Sequence, residues 1–511
     1  INVELKKPET AERFYINLYG ASTTNTEVNL YHTKKINKKW SEMFFAHGDI
    51  MQKKWDDNND SFMDLPLTKQ LNLMNRWRYQ SGKKLESQFG VKFLLDERNG
   101  GQLSFDKTKD RLTTNAYGTG ARTTRIEIFA KTGIVYPEKP DKSFGSMLTL
   151  TSHRQDAFFG LKNYDATQNS LYGNLIYQNI ISDKNHLYKL GVSVQADALT
   201  ENFISAKSDT LEIVPGVYSE YTFTKNKFTS IAGIRTDYHD GYGWFVVPRL
   251  HMKYSLTDEM IFRASGGRSF RRPHPLTDNL SLLSGSRNIS IAGNIEPEIA
   301  WNYGANLTAN FKLLGLETTF NIDYYRTWFV NQLITDSYSD SLNILFYNLD
   351  GESFSNSFQT TLNLEIAEPL TLRLAYKNDD VRSTYKGNVQ QKPMVAKHKA
   401  LANIAFAPDI KWKFDYTLLW EGKKKLAFSS NAGNDNLPVQ ESPSFITMNA
   451  QLTRNFKKWE VYAGVENLSG FTQENPIVSP ENPFSNAFDA TNVWGPIVGR
   501  KIYLGFRYIM F

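Results

Sequence analysis

Two stretches of the chain carry side chains of the kinds that bind metals and ligands. Asp56-Asp57-Asn58-Asn59-Asp60-Ser61-Phe62-Met63-Asp64 places oxygen donors at alternating positions. In a calcium loop such donors converge on one hard cation, and Asp56, Asn58, Asp60 and Asp64 fit loop positions 1, 3, 5 and 9. The bidentate Glu of position 12 is replaced by Leu67, and Ser61 stands where Gly makes the sharp turn. The same residues suit a plain turn rich in Asn and Asp. The expectation is calcium in an extracellular loop, with no other cofactor required. The second stretch, Phe270-Arg271-Arg272-Pro273-His274, opens a long polar segment. Neutral imidazole commonly binds metals, so His274 is a candidate ligand, with His239 and His153 as candidate second axial groups. Arg271 and Arg272 beside it are candidate ligand-binding residues. Tyr242, Trp244 and Trp494 offer rings that stack on a ligand or pack their own loops.

What must position these residues is a chain of 511 residues with no apolar run near the roughly 20 residues of a membrane helix. Mean hydropathy is −0.46, which excludes a helical membrane protein but not a membrane barrel, whose strands meet lipid only at every second residue. Aromatics reach 14% of the chain, which interfacial girdles explain. Cysteine is absent, so disulfide frameworks and thiolate metal sites are excluded. The net charge of +6 is modest and its bases are scattered, which argues against nucleic acid as a partner. The N-terminus has no signal-peptide pattern and begins at Ile1, which reads as a processed or excised segment.

The dominant pattern is period-two alternation along the whole chain. Trp301, Tyr303, Ala305, Leu307, Ala309, Phe311 and Leu313 fall on one face, with Asn302, Asn306, Thr308, Asn310 and Lys312 on the other. After a break at Gly315, Leu316, Phe320, Ile322, Tyr324 and Trp328 oppose Glu317, Asn321 and Asp323, so the two runs predict a hairpin. Leu372 against Arg373, Phe414 against Lys413, and Leu504 in the last run repeat the pattern. The apolar faces begin or end in Trp and Tyr, the signature of lipid-facing strands, whereas a soluble sandwich has no need of such ends. The polar faces suit a wet lumen. Its bases, such as Arg249, Lys253, Arg263, Arg373 and Lys377, could steer an anionic ligand or meet a charged partner.

Short turns such as Ile36–Lys39, Ser81–Lys83 and Glu368–Pro369 alternate with long segments. These are Lys53–Lys69, Glu97–Gly120, Thr200–Thr210, Arg271–Glu298, Tyr385–Lys397, Glu421–Ser442 and Thr472–Val498. Short periplasmic turns and long outer loops are the outer-membrane rhythm. The prediction is an all-β, closed antiparallel transmembrane β-barrel of about 22 strands, multi-pass in the cell outer membrane, against lipid and lipopolysaccharide.

Ile1-Asn2-Val3-Glu4-Leu5-Lys6 resembles the last plug strand of TonB-dependent receptors. Asp60–Pro66, Arg263–Pro273, Asn294–Asn302 and Val461–Ser469 resemble their barrel, in particular that of small Bacteroidetes-type receptors. On this resemblance residues 1–10 are the end of a plug and its linker, and 11–511 the barrel. The plug itself and the TonB box are not in the sequence. The terminal Phe511 matches the family's assembly signal by position but is out of phase with Ile502, Leu504, Phe506, Tyr508 and Met510. The resemblance implies energised uptake, not enzymatic chemistry, of a small scarce nutrient such as an iron chelate, haem or cobalamin. The implied partners are a plug domain, the TonB complex and a surface lipoprotein. It also likens Phe270–His274 to the FRAP box of haem receptors, though Asn294-Ile295-Glu296-Pro297-Glu298 lacks the NPNL core that follows it there. The competing reading is a passive channel or surface-binding barrel without a plug.

Overall fold

The structure is a computed structural model and describes residues 6–427 and 441–511, apart from positions 83, 338 and 341. The hairpin predicted around Gly315 shows how the barrel is assembled. Glu298–Leu313 and Leu316–Asn331 pair antiparallel down to Leu313 opposite Leu316. The two turn residues, Leu314 (φ 52°) and Gly315 (φ 85°), both sit in the left-handed region. A two-residue turn with positive φ at both positions twists in the same sense as the strands it joins, and Gly315 adopts it without steric cost.

Repetition of such hairpins gives a closed antiparallel barrel of 22 strands, with 68% of the chain in strands. The first strand, Phe14–Ala21, pairs with the last, Lys501–Met510, from Phe14 opposite Met510 to Ala21 opposite Tyr503. Closure removes the sheet edges that would otherwise expose unpaired backbone to lipid. Helix among the described residues is confined to loops, at Lys107–Asp110 and Thr277–Ser284. Among the described residues no helix is long and apolar enough to cross a membrane.

The face assignments hold strand by strand. Leu307 lies opposite Ile322 and Trp301 opposite Trp328. Phe320 is opposite Leu362, Leu372 opposite Leu364, and Phe414 opposite Leu452. On the other face Asn306 donates to Asp323 (2.8 Å) and accepts from Arg263 (3.0 Å). Aromatics gather toward the short-turn end, with Trp40 on Tyr79 (4.9 Å between ring centres) and Trp77 on Phe89 (5.1 Å). Toward the long-loop end stand Trp301, Trp328 and the Tyr238–Trp244 pair. These are the two interfacial girdles of a lipid-facing belt.

The segment ahead of the first strand is fastened to the barrel wall. Glu9 pairs with Arg78 and accepts from the Ser41 hydroxyl (2.8 Å). Glu12 pairs with Lys6 (2.8 Å) and accepts from Tyr31. Most of the Ile1–Lys6 run lies outside the described residues, as does 428–440 within the expected Glu421–Ser442 loop.

Two loop expectations are corrected. Thr200–Thr210 is no long loop: strands His186–Phe203 and Ala206–Lys225 continue to a two-residue tip at 204–205. Six consecutive strands, from Leu85–Gly101 to Ala206–Lys225, run 17 to 21 residues. A bilayer needs only about 9–11, so their outer ends stand in water. There both faces are polar and the alternation that marks a strand vanishes. The Glu97–Gly120 loop shrinks to 102–117 for the same reason. Conversely, 332–352 is a long outer segment that the turn rhythm did not single out. Its strands Leu333–Asp336 and Asn343–Asn348 join Asn288–Ile291 in a small three-stranded sheet over buried Leu333, Ile344 and Phe346.

Candidate functional site: the outer mouth and the lumen wall

The acidic loop folds as a turn in which one oxygen of each of Asp56, Asp60 and Asp64 accepts a backbone N–H of the loop. Asp56 accepts from the Ser61 N–H (3.1 Å), Asp60 from the Phe62 N–H (2.8 Å), and Asp64 from the Asp57 N–H (2.6 Å). Asn58 donates to Asp60 (2.9 Å). Asn59 and Ser61 take left-handed backbone conformations (φ 58° and 69°), so Ser61 fills the turn without Gly. Among the described residues no group of three or more His, Asp or Glu is gathered to hold a metal ion. In this geometry Asp56, Asn58, Asp60 and Asp64 form the hydrogen bonds of a plain turn.

Burial pushes the Asp64 carboxyl up to about 6; the Asp57 N–H bond opposes this and the facing Asp56, Asp60 and Asp57 charges add to it. A carboxyl raised in the folded state contributes stability that is complete below its unfolded value and lost as pH rises through the folded one. Protease nicking within 52–66 is therefore expected to increase as pH rises from about 4 through about 6. Asp64→Asn should flatten the profile, and added calcium should leave it unchanged. Calcium-dependent protection would restore the metal reading.

Three of the predicted residues meet at the mouth, around one that was not predicted. Arg272 pairs with Glu212 (2.5 Å) and lies 6.0 Å over the Tyr242 ring. Tyr242 packs edge-on against His239 (4.9 Å) and donates to the Ile295 carbonyl (2.9 Å). His239 is buried, with Nε2 3.8 Å from Glu212 and Nδ1 accepting from the Gly241 N–H (3.1 Å). It is thus closed to an axial ligand. Arg271 bridges Asp278 and Glu298, each at 3.0 Å. His274 is fixed through its backbone N–H to Asp278 (3.1 Å) and stands apart from this cluster. His153 lies on the lumen wall opposite Arg125. The arginines therefore brace the 272–297 loop onto the barrel. Glu212 faces inward between outward Leu211 and Ile213, just past the Thr200–Thr210 segment that the sequence reads as loop and that holds the first residues of its strand.

Because Glu212 is largely buried and Arg271 exposed, the two arginines should differ in consequence. Removing the partner of a buried charge is costly, whereas an exposed pair is worth roughly 0–1 kcal/mol. Arg272→Ala is expected to speed limited proteolysis within 272–297 by at least about tenfold, and Arg271→Ala by little. Equal effects would contradict the brace.

The remaining aromatics separate. Trp244 is on the outward face, 70% exposed and edge-on to Tyr238, because it starts a strand and does not belong to the 240–242 turn. It belongs to the girdle. Trp494 packs with Phe445 (5.9 Å) and Phe471 (6.2 Å), and its carbonyl accepts from Lys424 (2.6 Å). Phe445 in turn reaches a cavity of about 390 Å³ in the lumen wall. Its inward lining is apolar at Ala375, Leu401 and Leu419, and basic at Arg373, Lys377 and Lys399. Lys377 pairs with Asp379 (3.0 Å) and Lys399 with Glu421 (3.5 Å), while Arg373 makes no ion pair among the described residues. Arg373 and Lys377 were visible as inward residues. Lys399, Leu401 and Leu419 were not, because an apolar patch on the polar face breaks the alternation.

An aqueous, charge-lined lumen inside an apolar, aromatic-banded wall defines an outer-membrane transport barrel. The chain belongs to the TonB dependent receptor-like β-barrel family, whose match spans residues 13–468. Members of this family are outer-membrane transporters and not enzymes. Solved structures share the fold at low identity. The ferric enterobactin receptor PfeA of Pseudomonas aeruginosa, as a double mutant, superposes with a TM-score of 0.73 at 13% identity, over 98% of this chain and 80% of that one. The siderophore receptors PirA and PiuA of Acinetobacter baumannii give 0.76 at 11% and 0.68 at 12%, covering 98% and 97% of this chain and 81% of each of theirs. No curated protein sequence matches the chain.

Proposed function

We propose that this barrel serves energised uptake of an anionic iron chelate, with a plug domain filling its lumen and a TonB complex driving release. The observation that carries the reading is the lumen cavity, where an apolar floor is rimmed by Arg373, Lys377 and Lys399. Ferric catecholate complexes are anionic and aromatic, so a cavity that joins apolar side chains to surplus positive charge suits them. The fold shared with ferric enterobactin and siderophore receptors supports the same class. Haem is disfavoured because His239 is sealed between carboxylates. A passive channel is disfavoured by size, since porins use 16–18 strands and a 22-stranded barrel needs a plug.

The test is uptake of labelled ferric catecholate by iron-starved cells producing the receptor in their outer membrane. Uptake should depend on TonB and fall at least about tenfold when Arg373, Lys377 and Lys399 are all changed to Gln. Uptake that survives loss of TonB would favour the channel. Uptake indifferent to the three charges would move the ligand elsewhere.

A further inference from the structure

The barrel wall is uneven at its outer rim. Strand Ala206–Lys225 pairs with His186–Phe203 from its first residue, Ala206 opposite Phe203. On its other side, pairing with Phe228–His239 stops at Gly216 opposite Asp237. Among the described residues, 206–215 therefore have a strand on one side only. The free edge is about 30 Å long, at roughly 3.3 Å per residue.

The backbone groups on that edge follow from the register. Residues of an antiparallel strand bond alternately to one neighbour and to the other. Two-residue turns close on a hydrogen-bonded pair, and such turns lie between Phe203 and Ala206 and between Lys225 and Phe228. Even positions thus bond to His186–Phe203, and odd positions face away from it. The N–H and C=O of Lys207, Asp209, Leu211 and Ile213 point from the free edge, and Pro215, which has no N–H, marks its foot. Leu211 is 61% and Ile213 43% exposed, and Lys207 pairs with Asp209 (2.7 Å). The 272–297 loop meets this strand through Glu212, on the inward face, and not along the edge. An unpaired edge in water is a template for another strand. Here Pro215 and one ion pair blunt its two ends, while Leu211 and Ile213 between them are bare.

We propose that this edge takes up an extended segment of another polypeptide as an added antiparallel strand, in line with Phe228–His239 and above it. Alternating N–H and C=O groups along one line are matched by a second peptide backbone, and by neither a lipid nor a chelate. Lys207 and Asp209 cancel in charge, so the partner is selected by apolar side chains at alternate positions, beside Leu211 and Ile213. A second copy in the same membrane does not fit. Barrel strands tilt by about 35–45°, so two copies turned about the membrane normal bring these edges together crossed at roughly 70–90° and not antiparallel.

The probe is a labelled synthetic peptide with the sequence of Gln195–Phe203, whose side chains already match this strand on its bonded side. Fluorescence anisotropy measures its binding to the detergent-purified full chain, and hydrogen exchange reads the amides of Lys207, Asp209, Leu211 and Ile213. Saturable binding that slows exchange of these four is expected. Methylating alternate amide nitrogens of the peptide keeps its side chains and should weaken binding at least about tenfold. Leu211→Pro, which removes an edge N–H, should do the same, whereas Leu211→Ala should weaken it less than about fivefold. Pro is tolerated where an edge N–H meets solvent, and heat-modifiable gel mobility confirms that each variant has folded. Equal binding of the methylated peptide, undiminished binding to the Leu211→Pro variant, or no saturable binding overturns the site. Slow exchange of the four amides in the chain alone would mean that a segment of the chain itself lies on the edge, and overturns it as well.

Discussion

Asp489→Ala is expected to loosen the outer loops as a group, at a cost of about 3–5 kcal/mol, while Arg287→Met costs distinctly less. The loops are cross-braced. Tyr117 donates to the Ser284 carbonyl (2.7 Å), Lys162 to the carbonyls of Gly285 (2.7 Å) and Arg287 (2.8 Å), and the Ser286 N–H to Phe488 (3.0 Å). At their centre Arg287 is buried, donates to Ser337 (3.0 Å) and has Asp489 3.6 Å away as its counter-charge. Burial drives the Arg287 guanidinium down from its usual value, and Asp489 is the leading group that opposes this. Without Asp489 a desolvated cation is left with Lys162 close by. Without Arg287, Asp489 still accepts from the Thr491 N–H (2.8 Å), the Thr491 hydroxyl (2.6 Å) and Asn492 (3.2 Å). Hydrogen exchange of amides in 276–291 and 473–492 reads both variants. Equal loosening by the two would mean the pair itself, and not an uncompensated cation, sets the stability.

Leu307→Arg is expected to destabilise the barrel in lipid vesicles by about 2–4 kcal/mol, and its neighbour Asn306→Arg by close to nothing. The two residues are adjacent in sequence and opposite in face. Leu307 sits in the apolar belt opposite Ile322, whereas Asn306 faces the wet lumen beside Asp323 and Arg263. Reversible urea unfolding, followed by tryptophan fluorescence, measures both. Similar costs at the two positions would mean that this strand had been read one residue out of register.

The belt was legible because lipid imposes a rule on every second residue. Trp301 to Leu313 obeys it without exception, and the pairing follows. Legibility stops where the strands leave the bilayer. Thr200–Thr210 has water on both faces, so its residues report nothing about direction, and a hairpin looked like a loop. The mouth was half readable for a related reason. Residue type singled out Arg272, His239 and Tyr242, but only the fold brings Glu212 to Arg272, 60 residues away, and to His239. Local composition does not separate two readings at Asp56–Asp64, because Asx turns and calcium loops draw on the same residues and differ only in where the oxygens point. Trp244 is the second residue of a strand and not the end of the Tyr238–Trp244 loop, which sets its ring on the outward face.

The central claim, that this is the barrel of a plug-gated receptor and not a free-standing pore, is tested most directly by conductance in planar bilayers. This chain alone is expected to give large, steady, ion-permeable openings. The same chain with a family plug segment joined ahead of Lys6 should be closed to ions. A chain that is equally tight by itself, or one that stays open with the plug in place, would contradict the account.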